Sequence, residues 1–328
     1  MRLARRPLLA AVAALAGTAR AQTARAQTAQ GAWPSRPVRF LVPYPAGGGT
    51  DILARAVAEA LRPVLPQPIV VENRPGAQGV IGSEQVARAE PDGHLLLVVT
   101  STHNLNKYQL QQIPYEPLRD FAPVAVLTRQ ILVLVAGTGQ PFRDVAGLVA
   151  HARANPGAVG FGATEALTAF AGHEFNRLAG VRTEEVQYRG GGLLMNDIVA
   201  GHLPIGWTST ASALPHLATG KVRVLAVSSA GRTPLLPEVP SMQEGGVAGY
   251  ELSGWVAMLG PAGLPGPLAA RIHAVLAEAY ADPAFQARFR ALGLDPDLRD
   301  PAATARFLVE DDARWAAAVA ARRIVKVQ

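Results

Sequence analysis

The stretch "VPYPAGGGTDILAR", residues 42–55, decides how the chain is read. An apolar run ends in it and three consecutive glycines follow. Ile52, Leu53, Ala56, Val57, Ala60 and Leu61 then recur at helical spacing. Strand, glycine turn and helix in that order make a βα corner. Gly47, Gly48 and Gly49 leave backbone N–H groups unobstructed by Cβ atoms. A helix start adds unpaired donors and a partial positive charge, which favour a carboxylate or phosphate. The same residues also fit a plain tight connection capped by Thr50 or Asp51. Both readings stay open on local sequence.

Outward from this corner the pattern alternates strand and helix, which predicts α/β layers with largely parallel sheets. "VRFLVP" (38–43), "PIVVEN" (68–73) and "HLLLVVT" (94–100) read as strands of one sheet, with helices between them. "AVLTRQILVLVA" (125–136) is long for one strand, so either two strands meet there or the chain passes from one lobe to another. A second series of helices and strands runs from "DVAGLVAHARA" (144–154) to "VRVLAVS" (222–228). The Pro- and Gly-rich segment at 232–250 reads as a return connection, leading to the strand "GWVAMLG" (254–260) and three terminal helices. Polar turns follow several strands: "TSTHN" (100–104), "GATEA" (162–166) and "GWTSTAS" (206–212). Ligands of open α/β sheets bind outside the carboxyl ends of strands. There the hydroxyls of Thr100, Ser101, Thr102, Thr164, Thr208 and Ser209 either converge with the glycine turn or cap their own helices.

The first residues read as an export signal. "MRLARRP" is basic, "LLAAVAALAG" is apolar but too short to span a bilayer, and Ala19-Arg20-Ala21 is a small-x-small cleavage site. Arg5-Arg6 leaves the choice between Sec and twin-arginine export open. Cleavage after Ala21 removes Arg2, Arg5, Arg6 and Arg20, leaving +2 of the formal +6. The basic balance is therefore no nucleic-acid footprint. The chain has no cysteine, which excludes disulfides, thiolate metal sites and cysteine nucleophiles. No GxGxxG frame, GxxxxGK[ST], G-x-S-x-G or HExxH occurs, so nucleotide, serine-hydrolase and zinc-protease chemistry lack their motifs. His173-Glu174 in an amphipathic helix reads as structural, and Asp311-Asp312 as a solvated face.

Several separated blocks, in order, resemble the Bug family, the extracytoplasmic solute-binding proteins of tripartite tricarboxylate transport systems. They include "WPSRPVRFLVPYPAGGGTDILAR", "VENRPGAQGVIGSEQVARAEPDG", "PYEPLRDFAPVAVL", "YRGGGLLMNDIVAGHLPI", "ALPHLATGKVRVLAVSSAGRTPLLPEVPSMQEGGV" and "GWVAMLGPAGLP". The resemblance implies an α/β fold of two lobes, periplasmic-binding-protein-like (type II), with the ligand cleft between them. A signal region at 1–26 would precede lobe 1 at 33–127, lobe 2 at 128–245, and a return to lobe 1 at 246–328. It further implies a non-enzymatic periplasmic receptor for a small carboxylate, monomeric, without metal, cofactor or nucleic acid, serving a membrane permease. A ligand-responsive sensor and an exported α/β hydrolase are the alternative functions. The ligand's carboxylate would lie against Ala46, Gly47, Gly48, Gly49, Thr50 and Asp51, with Tyr44 bordering the cleft. Ser101 and Thr102 form the family's second contact turn, and Ala163, Thr164 and Thr208 complete the expected contacts.

Two departures stand out. Family members usually carry a glycine- and serine-rich turn where this chain has "FGATEALTAFAGHEF", which introduces Glu165. That carboxylate would repel an anionic ligand unless it points away or is protonated. The family also often has an acid after the strand matching "LPIGW", where this chain offers Trp207-Thr208. An amino acid's ammonium lacks an obvious partner there.

Overall fold

A computed structural model describes residues 33–324, so the export signal expected at 1–26 lies outside the described residues. The chain begins with β1 (Val38–Val42), α1 (Gly49–Leu61), β2 (Ile69–Asn73), α2 (Val80–Ala87), β3 (Leu95–Thr100) and α3 (Thr102–Gln109). β4 (Phe121–Gly137) leads into α4 (Val145–Ala154), β5 (Gly160–Ala163), α5 (Ala166–Ala179), β6 (Glu184–Gln187) and α6 (Gly191–Ala200). β7 (Ile205–Ser209), α7 (Thr210–Leu217) and β8 (Val222–Val227) follow. The return comprises β9 (Ser253–Pro261), α8 (Gly266–Ala281), α9 (Pro283–Ala291), β10 (Asp295–Arg299) and α10 (Pro301–Ala320).

These elements build two sheets with the same strand pattern, β2-β1-β3-β9-β4 in one lobe and β6-β5-β7-β4-β8 in the other. In each, the first three strands are parallel and the fourth enters antiparallel from the opposite lobe. This is the two-lobed periplasmic-binding-protein fold. The long β-rich run is one strand shared by both lobes: Ile131 of β4 pairs with Ser253 in the first sheet, and Leu132 pairs with Ser209 in the second. Ser228 ties this crossing to the returning segment. It exchanges hydrogen bonds with Leu132 through its N–H and Oγ, and with Leu252 through its Oγ and carbonyl.

Alternating residues of these strands feed apolar layers on both faces of each sheet. Phe40 and Leu41 of β1 point to opposite layers of the first lobe, and Val133 and Leu134 of β4 do the same in the second. Each fully buried large apolar side chain contributes about 1.5–3 kcal/mol, which is how a cysteine-free chain holds together. α10 spans the two lobes: Leu308 sits in a first-lobe layer, Trp315 and Ala318 in a second-lobe layer. Asp311 on this helix corrects the solvated-face reading. It is buried, accepts from the Asn104 amide and the Trp315 indole N–H, and pairs with Arg314.

Candidate functional site

Loops at the carboxyl ends of strands from both lobes meet at the crossing. After β1 the backbone turns at Gly47, whose φ of +80° is a left-handed conformation that glycine adopts without steric cost. α1 starts behind an extended Gly48, and no side chain caps it. Its leading N–H groups therefore have no partner within the helix. Asp51 is not the cap. It lies in the first turn, takes the Gly47 N–H at 2.9 Å, and binds Arg55 and the Asn73 amide, which also donates to Tyr44 O. Burial alone would push the Asp51 carboxyl up, but the bonds from Arg55, Gly47 and Asn73 outweigh it and hold the group below the usual carboxylate range. Asp51 fixes the shape of the turn from behind and leaves its mouth open.

The β6–α6 corner of the second lobe is built the same way. Gly190 precedes α6, again with no side-chain cap. The corners touch: a side chain at Gly190 would press on Pro45, and a Cβ at Gly49 would collide with Ser209 Oγ. Between them lies a chamber of about 50 Å³. Tyr44, Pro45, Gly48, Gly49 and Thr50 line it from the first lobe, and Gln130 from the crossing strand. Thr164, Glu165, Thr168, Arg189, Gly190, Gly191, Thr208, Ser209 and Ser212 line it from the second. A wider groove of about 440 Å³ adjoins it and shares Tyr44, Pro45, Thr164 and Arg189.

Two other helix starts at the chamber are occupied by the protein itself. Ser209 Oγ accepts the Ser212 N–H at the head of α7. Thr168 Oγ1 accepts the N–H groups of Thr164 and Glu165 leading into α5. Glu165 then crosses to the first lobe, where its Oε2 accepts from Thr100 Oγ1 at 2.8 Å and Thr102 Oγ1 at 3.1 Å. Thr102 Oγ1 also accepts from the Leu167 N–H, and the Tyr44 hydroxyl lies 2.9 Å from Thr100 Oγ1. Burial pushes the Glu165 carboxyl up, and bonds from Thr100, Thr102 and Gln130 offset part of that rise. Burial, reinforced by the charge of Glu165, pushes the Tyr44 hydroxyl well above its ordinary value.

Of the expected contacts, Tyr44, Gly48, Gly49, Thr50, Thr164 and Thr208 line the chamber. Ala46 and Gly47 are solvent-exposed and do not line it, and Asp51 is buried behind the turn. Ser101 is fully buried beside Gly254, and Ala163 is fully buried at the end of β5. Thr102 spends its hydroxyl on Glu165. Sequence reasoning missed Pro45, Gln130, Thr168, Ser212 and the turn Arg189-Gly190-Gly191 as lining of the chamber. For that turn a signal existed: "YRGGGLL" repeats, after another strand, the tyrosine and glycine run of "YPAGGGTD". Among the described residues no cluster of three or more His, Asp or Glu is placed to hold a metal. His173 pairs with Glu185, while Glu174 holds Arg177 and Arg323.

Residues 53–324 match the family model described as "Tripartite tricarboxylate transporter family receptor". "Protein BugT" of Bordetella pertussis is 33% identical over 293 residues, 88% of this chain and 89% of that one. Among solved structures, R. palustris Rpa4515 with adipate is similar at a TM-score of 0.86 and 29% identity, over 90% of this chain and 100% of that one. The periplasmic binding protein BugD is similar at 0.84 and 30% identity, over 90% and 100% of the two chains.

Proposed function

The chain belongs to the tripartite tricarboxylate transporter receptor family, and from that premise we propose that it binds a small carboxylate in the periplasm and delivers it to a membrane permease. The family's members are solute-binding proteins, not enzymes, and this chain is a binding protein. Among the described residues no helix is long and apolar enough to cross a membrane.

The observation that carries the carboxylate reading is the pair of uncapped helix starts, α1 and α6, bordering one chamber from opposite lobes. Each brings unpaired N–H groups and a partial positive charge, and an acid group between them satisfies both. One such placement contributes roughly 1–2 kcal/mol, so two starts closing on one anion hold it where either alone holds it weakly. Enclosure strengthens each bond by excluding water. A ligand favours this closed arrangement only through contacts it lacks when the lobes part. The relative Rpa4515, solved with adipate, is an acid-bound example of the same fold.

Native mass spectrometry of freshly purified protein tests the reading. We expect a retained small acid that is recovered unchanged after long incubation and rebinds one to one by calorimetry. A protein that purifies empty and binds no mono- or dicarboxylate would overturn it. Membrane pull-down with loaded and emptied protein then tests delivery, and capture of the permease in the loaded state alone is the expected result.

A further inference from the structure

The chamber is electrically lopsided. The starts of α1 and α6, with the exposed Arg189 just ahead of α6, form one end, and the carboxyl of Glu165 lines another part of the same small space. A volume of 50 Å³ holds about three to five water-sized groups, the bulk of a two- to four-carbon acid. Anything that fills it reaches from the helix starts to the neighbourhood of Glu165. Glu165 is not free to swing away: Thr100 and Thr102 both donate to its Oε2, and Thr102 is itself engaged by the Leu167 N–H. Thr100 Oγ1 in turn takes the Thr102 N–H. Both hydroxyls converge on one oxygen, Oε2, and the network holds the carboxyl group at the chamber wall in a fixed direction. The hydroxyls of Thr100 and Thr102, which would otherwise greet a second acid group, are already spent on the protein's own.

We propose, resting on the carboxylate reading above, that Glu165 selects a small zwitterion: the ligand's carboxylate sits between the starts of α1 and α6 while its ammonium faces Glu165. A diacid of the same length would set a second negative charge against Glu165. Like charges a few ångströms apart at an effective dielectric of about 20 disfavour such a ligand by about a hundredfold or more. An ammonium at the same place does the reverse. It also supplies the countercharge that the threonine hydroxyls and Gln130, being neutral, leave unprovided, which is why burial still pushes the carboxyl up. The partner for an amino group, absent after β7 where Trp207-Thr208 stands, is thus provided from the β5–α5 corner.

Calorimetry with three series of two to four carbons tests this. The series are the amino acids glycine, β-alanine and 4-aminobutyrate, the plain monoacids of matching length, and the matching diacids. For the wild-type protein we expect the best amino acid to bind at least about tenfold tighter than its plain monoacid, and the diacid weakest. Glu165→Gln keeps an acceptor for both threonines and should lower the amino acid's affinity at least about tenfold while raising the diacid's. Thermal unfolding checks that the variant is folded, and the wild-type ranking decides without it. Diacids or plain acids binding the wild type as tightly as amino acids would sink the zwitterion and leave the carboxylate reading standing. So would an unchanged ranking in a folded variant. No binding in any series would sink both.

Discussion

The β1–α1 and β5–α5 corners hold matching places, each following the second strand of a sheet that opens with the same strand pattern. Both carry an acid in or beside the first turn of their helix. At β1–α1, Asp51 folds back beneath its own turn and is paired with Arg55, so the glycine mouth stays unfilled. At β5–α5, Glu165 points outward across the gap, and Thr168 uses up the N–H groups behind it. One corner receives; the other fills. Topology decides which turns face the cleft, and the direction of a single carboxylate decides what each turn offers there.

The largest blow to this contrast comes from crowding the receiving corner. Gly49→Val places a branched side chain against Ser209, where overpacking costs about 1–3 kcal/mol, so ligand affinity should fall about 10- to 100-fold by calorimetry. Unchanged affinity would show that the lobes need not meet at this point. Next in size, Asp51→Ala strips the acceptor from Gly47 N–H and Asn73 and should lower urea-unfolding stability by about 1–2 kcal/mol. Affinity should fall with it as the turn loses its backing. On the filling side, Thr168→Val should cost about 1 kcal/mol as a lost cap, with little effect on affinity.

The finest test is pH. Asp51 is held below its ordinary 3.8, so its stabilisation is present above that value and is lost as pH falls through the lower folded one. Glu165 is raised above its ordinary 4.5, so stability associated with it is full below that pH and declines as pH rises through the folded value. In ligand-free protein, Asp51→Asn should therefore lose ground to wild type as pH rises towards about 4 and run parallel to it above, and Glu165→Gln should gain ground above about 4.5. Thermal unfolding from about pH 2 to 7.5 reads both, and slopes of the same sign would erase the distinction between the corners.

Much of the architecture was legible because it is local. The glycine run, the helical spacing after it and the overlong β-rich segment each announce themselves within a dozen residues. α3 and β10 did not. α3 reads "THNLNKYQ", a polar string whose buried Asn104 and Asn106 donate their side-chain N–H groups to Leu308 O, Asp311 and Gln78 O, partners supplied from far along the chain or from another turn. β10 reads "DPDLR", carries a proline, and takes its strand pairing from β4, far back along the chain. The site divides on the same line. Glycines that make their own turn could be found from spacing, whereas the loss of Thr102 to Glu165 depends on two lobes meeting. No window of sequence contains that encounter.

α10 has its first turns embedded in one half of the molecule and its later turns in the other, with Arg323 just beyond it fastened to Glu174. A rod planted at both ends acts as a mechanical stop. The jaws can part only as far as the rod will follow, and any wider swing must pull Trp315 from its seat. Opening is thereby opposed at a place away from the cargo.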